Sequence, residues 1–240
     1  MKIIVIKKTD YKEKDTIIDA ISHDGPVSFK VRGSQTPTSH LAWINNPLTV
    51  ADVEYVENVR YRHQILKNAQ LIYSPIKDTS FNRILFVNLV VDVASNMFPK
   101  EEQYLLFDLI TDLFKGTDNS NDFIISELLF LAKAIKLSGS EPEVNQCVVC
   151  GSKSDIVAFS FAEGGFICRN CLDPDMTLDL NPSQMKWIRY LFNHDNFVGL
   201  PESTRLSKED QVAIFTKFYD YIYDAIGVKL NTIKEIIDNI

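Results

Sequence analysis

Four cysteines stand in two pairs, Cys147-Val148-Val149-Cys150 and Cys168-Arg169-Asn170-Cys171, with residues 151–167 between them. Two C-x-x-C pairs at this spacing offer four thiolates from two tight turns, the ligand set of a closed tetrahedral zinc site. Gly151 follows the first pair, where a knuckle turn favours a residue without a Cβ. Gly164-Gly165 bends the segment between the pairs, so Ala158 to Ile167 reads as a hairpin that carries the second pair to the first. Four thiolates fill the tetrahedron and leave no position for a reacting water, so the expected Zn2+ is structural. The zinc-deaminase pattern is also missing, because Gln146 rather than proline precedes Cys147 and no His-x-Glu occurs. Disulfides would need an oxidising compartment. The chain opens Met1-Lys2-Ile3-Ile4 without an apolar signal region, which sets a cytoplasmic expectation.

No other catalytic constellation emerges. The sequence holds no P-loop, no G-x-G-x-x-G, no G-x-S-x-G elbow and no H-E-x-x-H, so the chain is read as a non-enzyme. Asp173, Asp175 and Asp179 follow the last cysteine. A nuclease-type magnesium site there is one alternative, and a solvated acidic loop is the simpler reading. His23, His40, His63 and His194 sit in unrelated contexts and read as surface or satisfied groups.

The elements that must position the cysteines come in two styles. Ile3–Ile6, Thr16–Ser22, Val27–Val31, Leu48–Val56 and Leu66–Tyr73 are short apolar or alternating runs, most of them separated by turn formers such as Asp24-Gly25-Pro26 and Asn45-Asn46-Pro47. Five short strands in roughly 75 residues fit an OB-type five-stranded barrel. From Phe81 the period becomes helical. Phe81, Ile84, Leu85, Leu89 and Val93 form one expected core stripe, Leu105, Leu106, Leu109, Ile110 and Leu113 a second, and Ile124, Leu128, Leu131 and Ile135 a third. Asn181-Pro182 opens a fourth helix, and Ser207 with Asp210 opens a fifth that runs towards Gly227. The expected fold is therefore α+β: a barrel over 1–78, then a helical domain over 79–240 with a zinc knuckle or ribbon module, 144–176, inserted in it.

The charge is split between these parts. The whole chain carries −7, yet residues 1–80 hold 11 Lys and Arg against 9 Asp and Glu, whereas 81–240 hold 14 against 23. A mildly basic barrel suits a polyanion, and an acidic helical part suits protein partners. The candidate phosphate contacts are Lys7, Lys8, Lys12, Lys14, Lys30, Arg32, Arg60, Arg62 and Lys67. Lys30 and Arg32 alternate on one strand and are expected to share a face. Among the aromatic residues Tyr11, Phe29, Trp43 and Tyr61, Tyr11 is the best platform for stacking a base, and Phe29 is expected in the core.

The order of parts, barrel, helices, knuckles and helices, resembles the bacterial recombination mediators of the RecO family. The residues that carry the resemblance are Thr9 to Asp15, Asp24-Gly25 and Val31-Arg32-Gly33 in the barrel. They continue with Gly139-Ser140-Glu141-Pro142 before Cys147 to Gly151, then Phe159-Ser160, Gly164-Gly165 and Cys168, and finally Gly227-Val228-Lys229-Leu230. The resemblance implies a DNA-repair protein that binds single- and double-stranded DNA and anneals complementary strands. With the partner RecR, it implies loading of RecA onto strands coated by single-strand-binding protein, whose acidic C-terminal tail is a further partner. Residues Ser34 to His40 hold no Lys or Arg, unlike the Arg- and Lys-rich loop usual in the family, and this keeps a protein-only adaptor open as an alternative.

Overall fold

The computed structural model describes all residues other than 37, 58–62, 77–79, 118–121, 161 and 177–179. It divides into two compact units, Met1–Phe114 and Lys115–Ile240.

The first unit is built on strands β1 (Lys2–Tyr11), β2 (Asp15–Ser22), β3 (Gly25–Val31), β4 (Val50–Val56) and β5 (Gln64–Tyr73). They close into a barrel in the order β1-β2-β3-β5-β4, the five-stranded OB-type architecture. Every pairing is antiparallel except β3 with β5, where a short parallel ladder joins Phe29 to Gln64 and Lys30 to Ile65. Alternation sends Ile3, Val5, Ile18, Ala20, Phe29, Val31, Ala51 and Val53 inward. Leu41 and Ile44, from a connection that includes a 3-10 turn at Ala42–Asn45, complete the core. Ile4 and Ile6 lie outside that core and are buried all the same, because helix α1 (Phe81–Asn96) packs against β1. A strand covered on both faces reads as a continuous apolar run, which is the pattern of Ile3-Ile4-Val5-Ile6.

The stripe expected on α1 is rotated. Phe81 and Ile84 are 54% and 42% exposed, and Leu105 in the 3-10 segment Lys100–Leu105 is 37% exposed. The buried face runs through Leu85, Phe86, Leu89, Val90, Val93 and Ala94. Its axis lies between Leu85 and Phe86, about 100° round the helix from the Ile84–Leu85 edge. Helix α2 (Leu106–Thr117) follows. Three contacts tie this segment to the barrel: Lys100 Nζ to Asp19 Oδ1 at 3.1 Å, the Phe107 ring 4.1 Å from that of His23, and the Phe114 ring stacked 4.7 Å from Tyr73.

In the second unit α3 (Ile124–Leu137) is buried almost all round rather than along one stripe, with Ile125, Leu129, Phe130 and Ala132 inside as well as the expected Leu128, Leu131 and Ile135. A helix buried on most of its sides belongs at the centre of its unit, and α3 is packed by α4 (Pro182–Asn193) and α5 (Lys208–Tyr221). Both start as their sequences dictate. Asn181 and Gln184 form a reciprocal capping box with Pro182 in the first turn, and Ser207 Oγ accepts from the Asp210 N–H. A π-helical turn, Ile222–Ile226, ends at Gly227 in the left-handed region, φ +80°. Beyond it a further short helix, α6 (Asn231–Ile237), buries Ile233 and Ile236. Seven residues carry too little period to be read as a helix from sequence, and packing on α5 supplies what propensity does not.

Glu127 sits on this central helix, 3% exposed, and burial assisted by nearby Asp122 pushes its carboxyl up to about 8. The folded state thus holds a proton that the unfolded state releases near the ordinary value, so stability falls as pH rises between about 4.5 and 8. Glu127→Gln removes that slope. Thermal unfolding across pH should show the variant gaining on the wild type at pH 8 and matching it near pH 4.5; parallel curves would exclude the buried neutral acid.

Candidate metal centre and nucleic-acid interface

The two cysteine pairs meet as the hairpin requires. Strands β6 (Ile156–Ser160) and β7 (Gly165–Cys168) pair antiparallel, Phe159 opposite Phe166, and Cys168 ends β7 before a 3-10 turn at Arg169–Cys171. The first knuckle is closed by Gly151 N–H to the Cys147 carbonyl at 2.8 Å and Cys147 N–H to the Ser152 carbonyl at 2.7 Å. Gly151 takes φ +74°, the left-handed conformation its lack of a Cβ permits. All four cysteines are free thiols, and their Sγ atoms lie within 4.8 Å of one another, Cys150 and Cys168 at 3.6 Å. Four sulfurs each about 2.3 Å from one zinc ion would stand about 3.8 Å apart, so the set fits. Backbone N–H groups, that of Cys168 first and then those of Cys150 and Val149, lower the Cys147 thiol to about 6. Hydrogen bonding with Cys150 and Cys168, and then burial, raise Cys171 to about 12. One thiolate is thus stabilised by the fold alone, while a fourth needs a cation among them.

The hairpin is anchored by main chain. Glu143 N–H donates to the Gly164 carbonyl, Phe166 N–H to the Glu143 carbonyl, and Val148 N–H to the Phe166 carbonyl, each at 2.8 Å. The chain passes so close that a Cβ at Gly165 would lie 2.2 Å from the Glu143 carbonyl oxygen. Helix α4 grips the same place. Arg189 Nε donates to the Val144 carbonyl at 2.9 Å and its guanidinium covers the Phe166 ring at 4.9 Å. Asn145 and Asn193 exchange amide hydrogen bonds at 3.2 and 2.9 Å.

On the barrel, a concavity of about 450 Å3 is lined by Tyr11, Lys12, Ile17, Lys30, Arg32, His63 and Ile65. It gathers four of the expected residues, Tyr11, Lys12, Lys30 and Arg32. Arg32 lies just past the end of β3 instead of within it, and it still faces the same hollow as Lys30. Lys30 Nζ stands 2.9 Å from Asp15 Oδ2 and 4.7 Å from the centre of the Tyr11 ring; Lys12 Nζ is 5.6 Å from that ring. Asp15 Oδ1 accepts from Gly33 N–H at 2.9 Å. That bond first, and Lys30 second, hold the Asp15 carboxyl below the usual carboxylate range. Lys7, Lys8, Lys14 and Lys67 are exposed and do not line the hollow, and Lys8 pairs with Asp10 at 2.7 Å. Arg60, Tyr61 and Arg62 lie outside the described residues. Phe29 is fully buried, and Trp43 packs against the barrel core.

Ile17, His63 and Ile65 complete the hollow and were not singled out by sequence. His63 shares a hydrogen bond of 2.8 Å with Ser28, so it is satisfied and lines the hollow at the same time. Its position directly after Arg62 was the available signal. The cation-free loop after Gly33 is locked down by its polar residues. Thr16 Oγ1 bonds Ser34 Oγ at 2.7 Å and Asn45 Oδ1 at 2.9 Å, Asn45 Nδ2 reaches the Ser34 carbonyl, and Gln35 Nε2 reaches the Asp15 carbonyl. Asp173 and Asp175 are exposed, with Asp173 Oδ1 accepting from the Asp175 N–H, and Asp179 is not among the described residues. Among the described residues, the four cysteines form the one cluster of three or more ligating side chains close enough to share an ion.

Comparison with known proteins places nearly the whole chain beside one set of relatives. Residues 79–220 match the family model described as "Recombination protein O C terminal". The "DNA repair protein RecO" of Halalkalibacterium halodurans is 25% identical over 95% of this chain and 90% of its own length. That of Bacillus cereus is 25% identical over 98% and 96%, and that of Bacillus subtilis 22% over 92% and 89%. With its barrel, its helical unit and its four-cysteine cluster, the chain belongs to the RecO family of DNA repair proteins.

Proposed function

We propose that the chain is a non-catalytic recombination mediator that binds DNA through its barrel. The observation that carries this reading is the hollow over β1, β2, β3 and β5, which Lys12, Lys30 and Arg32 line together with Ile17, Ile65 and the Tyr11 ring. Cations supply the sequence-independent attraction to phosphate, and the ring supplies a face on which any base can stack. In this role the protein anneals complementary strands and, with RecR, helps RecA onto DNA coated by single-strand-binding protein, whose acidic C-terminal tail meets the helical unit. Such work places it in the cytoplasm, at the nucleoid.

Cys147, Cys150, Cys168 and Cys171 would hold Zn2+, which supplies a tetrahedral cross-link and no open position for chemistry. The protein's own part is to bring two knuckles together on the β6–β7 hairpin and to aim N–H groups at Cys147.

Fluorescence anisotropy of a labelled single-stranded oligonucleotide across a salt series tests the DNA reading. The expected affinity falls by about 0.7 log units per log unit of salt for each phosphate contact, so three contacts give a slope near −2. Lys30→Glu with Arg32→Glu should weaken binding about tenfold or more at low salt. Absence of binding by the wild type at low salt would replace this reading with that of a protein adaptor acting through the acidic helical unit.

Replacing Cys147 and Cys150 by Ala should abolish stoichiometric zinc in metal analysis and lower the thermal unfolding midpoint. An unchanged midpoint would defeat the structural role.

A further inference from the structure

In the free protein the cationic hollow is already engaged. Asp15 Oδ2 lies 2.9 Å from Lys30 Nζ, with both side chains largely shielded, 19% and 24% exposed. The same ammonium lies over the Tyr11 ring. A carboxylate on Lys30 stands where a phosphate oxygen would stand, and an ammonium on Tyr11 covers the face that a base would use.

We propose that Asp15 is a built-in competitor for phosphate, and that an unpaired nucleotide opens the hollow by replacing Asp15 on Lys30 and Lys30 on Tyr11 together. This rests on the DNA reading above and specifies its substrate class. A duplex can offer the phosphate but keeps its bases stacked within the helix, so it makes only the first exchange. A single strand makes both, gaining the ring as the cation leaves it. Ile17 and Ile65, which share the lining of the hollow, favour the flat apolar face of a base over a second phosphate.

The hollow is framed to keep the competitor in place. Gly33 N–H holds Asp15 Oδ1, and Gln35 Nε2 holds the Asp15 carbonyl at 2.7 Å. The carboxylate is therefore fixed by the backbone and remains near Arg32 and Lys30 once displaced. It can return when the strand leaves, which suits a protein that must let go of the strand it has delivered.

The test compares the full-length wild type with Asp15→Asn, Glu13→Gln, Lys30→Gln, the Asp15→Asn/Lys30→Gln pair and Tyr11→Leu. Each is titrated with a labelled oligothymidylate and, separately, with a labelled duplex of equal length. Asparagine keeps an acceptor for Gly33 N–H, so the turn is retained, and matching thermal unfolding checks that it is. Glu13 is an exposed acid in the same turn and reports the general effect of removing one negative charge.

Asp15→Asn should tighten single-strand binding several-fold, Glu13→Gln distinctly less, and the gain should vanish when Lys30 is already Gln. Tyr11→Leu should weaken single-strand binding about fivefold or more and leave duplex binding unchanged. An Asp15→Asn gain equal to that of Glu13→Gln, or one that persists without Lys30, would overturn the competitor. A Tyr11→Leu loss shared by both DNAs would overturn the strand selection. Wild-type DNA binding that is indifferent to Asp15 and Tyr11 sinks this inference alone, whereas no wild-type binding at low salt sinks the DNA reading and this inference with it.

Discussion

Among the described residues, the barrel closes on a seam of two residue pairs. Five strands bury an apolar interior only if the sheet closes, and closure between β3 and β5 rests on Phe29 opposite Gln64 and Lys30 opposite Ile65. Phe29 is wholly buried at this seam, its ring edge-on to Tyr55 on β4 at 5.4 Å. The next residue along β3, Lys30, points away from the core. Because side chains alternate along a strand, the residue that secures the interior is followed by one offered to solvent. Lys30 and Ile65 are one pair of that seam, and they line the hollow together with Arg32 and His63.

The second unit is organised about a helix buried around most of its circumference. Such a helix is stable only when surrounded, and α4 and α5 are among the elements that surround α3. The hairpin of the cysteine module has no such core of its own, since β6 and β7 form a two-stranded sheet. An isolated hairpin is marginal in water. Its order comes instead from three sources: the thiol cluster at one end, the backbone of Glu143 along its flank, and the Arg189 guanidinium on Phe166.

What the sequence disclosed follows the distance over which each interaction acts. The cysteine pairs were legible because each knuckle is a local turn and the Gly164-Gly165 bend lies between them. The strands were legible from alternation, and the capped starts of α4 and α5 from Asn181-Pro182 and Ser207. The far wall of the hollow was not, because Ile65 reaches Lys30 only through the pairing of strands distant in the chain, and Ile17 only through the register of the β2–β3 hairpin. The face of α1 was misjudged by about one residue, since hydrophobicity alone does not say where a neighbouring strand will lie, and Phe81 and Ile84 are apolar without being covered. Asp15 was not singled out by sequence, because Gly33 and Lys30 meet it only in the folded barrel.

The contacts of Lys100 with Asp19, of Phe107 with His23 and of Phe114 with Tyr73 carry an engineering consequence. Two of them brace strands that border the hollow or lead into it, and all three come from residues well beyond the fifth strand. A portable form of the barrel, suitable for grafting onto another protein, therefore has to include the chain through residue 114. A cut made at the last barrel strand would strip β1 of its helical cover and leave Ile4 and Ile6 facing water.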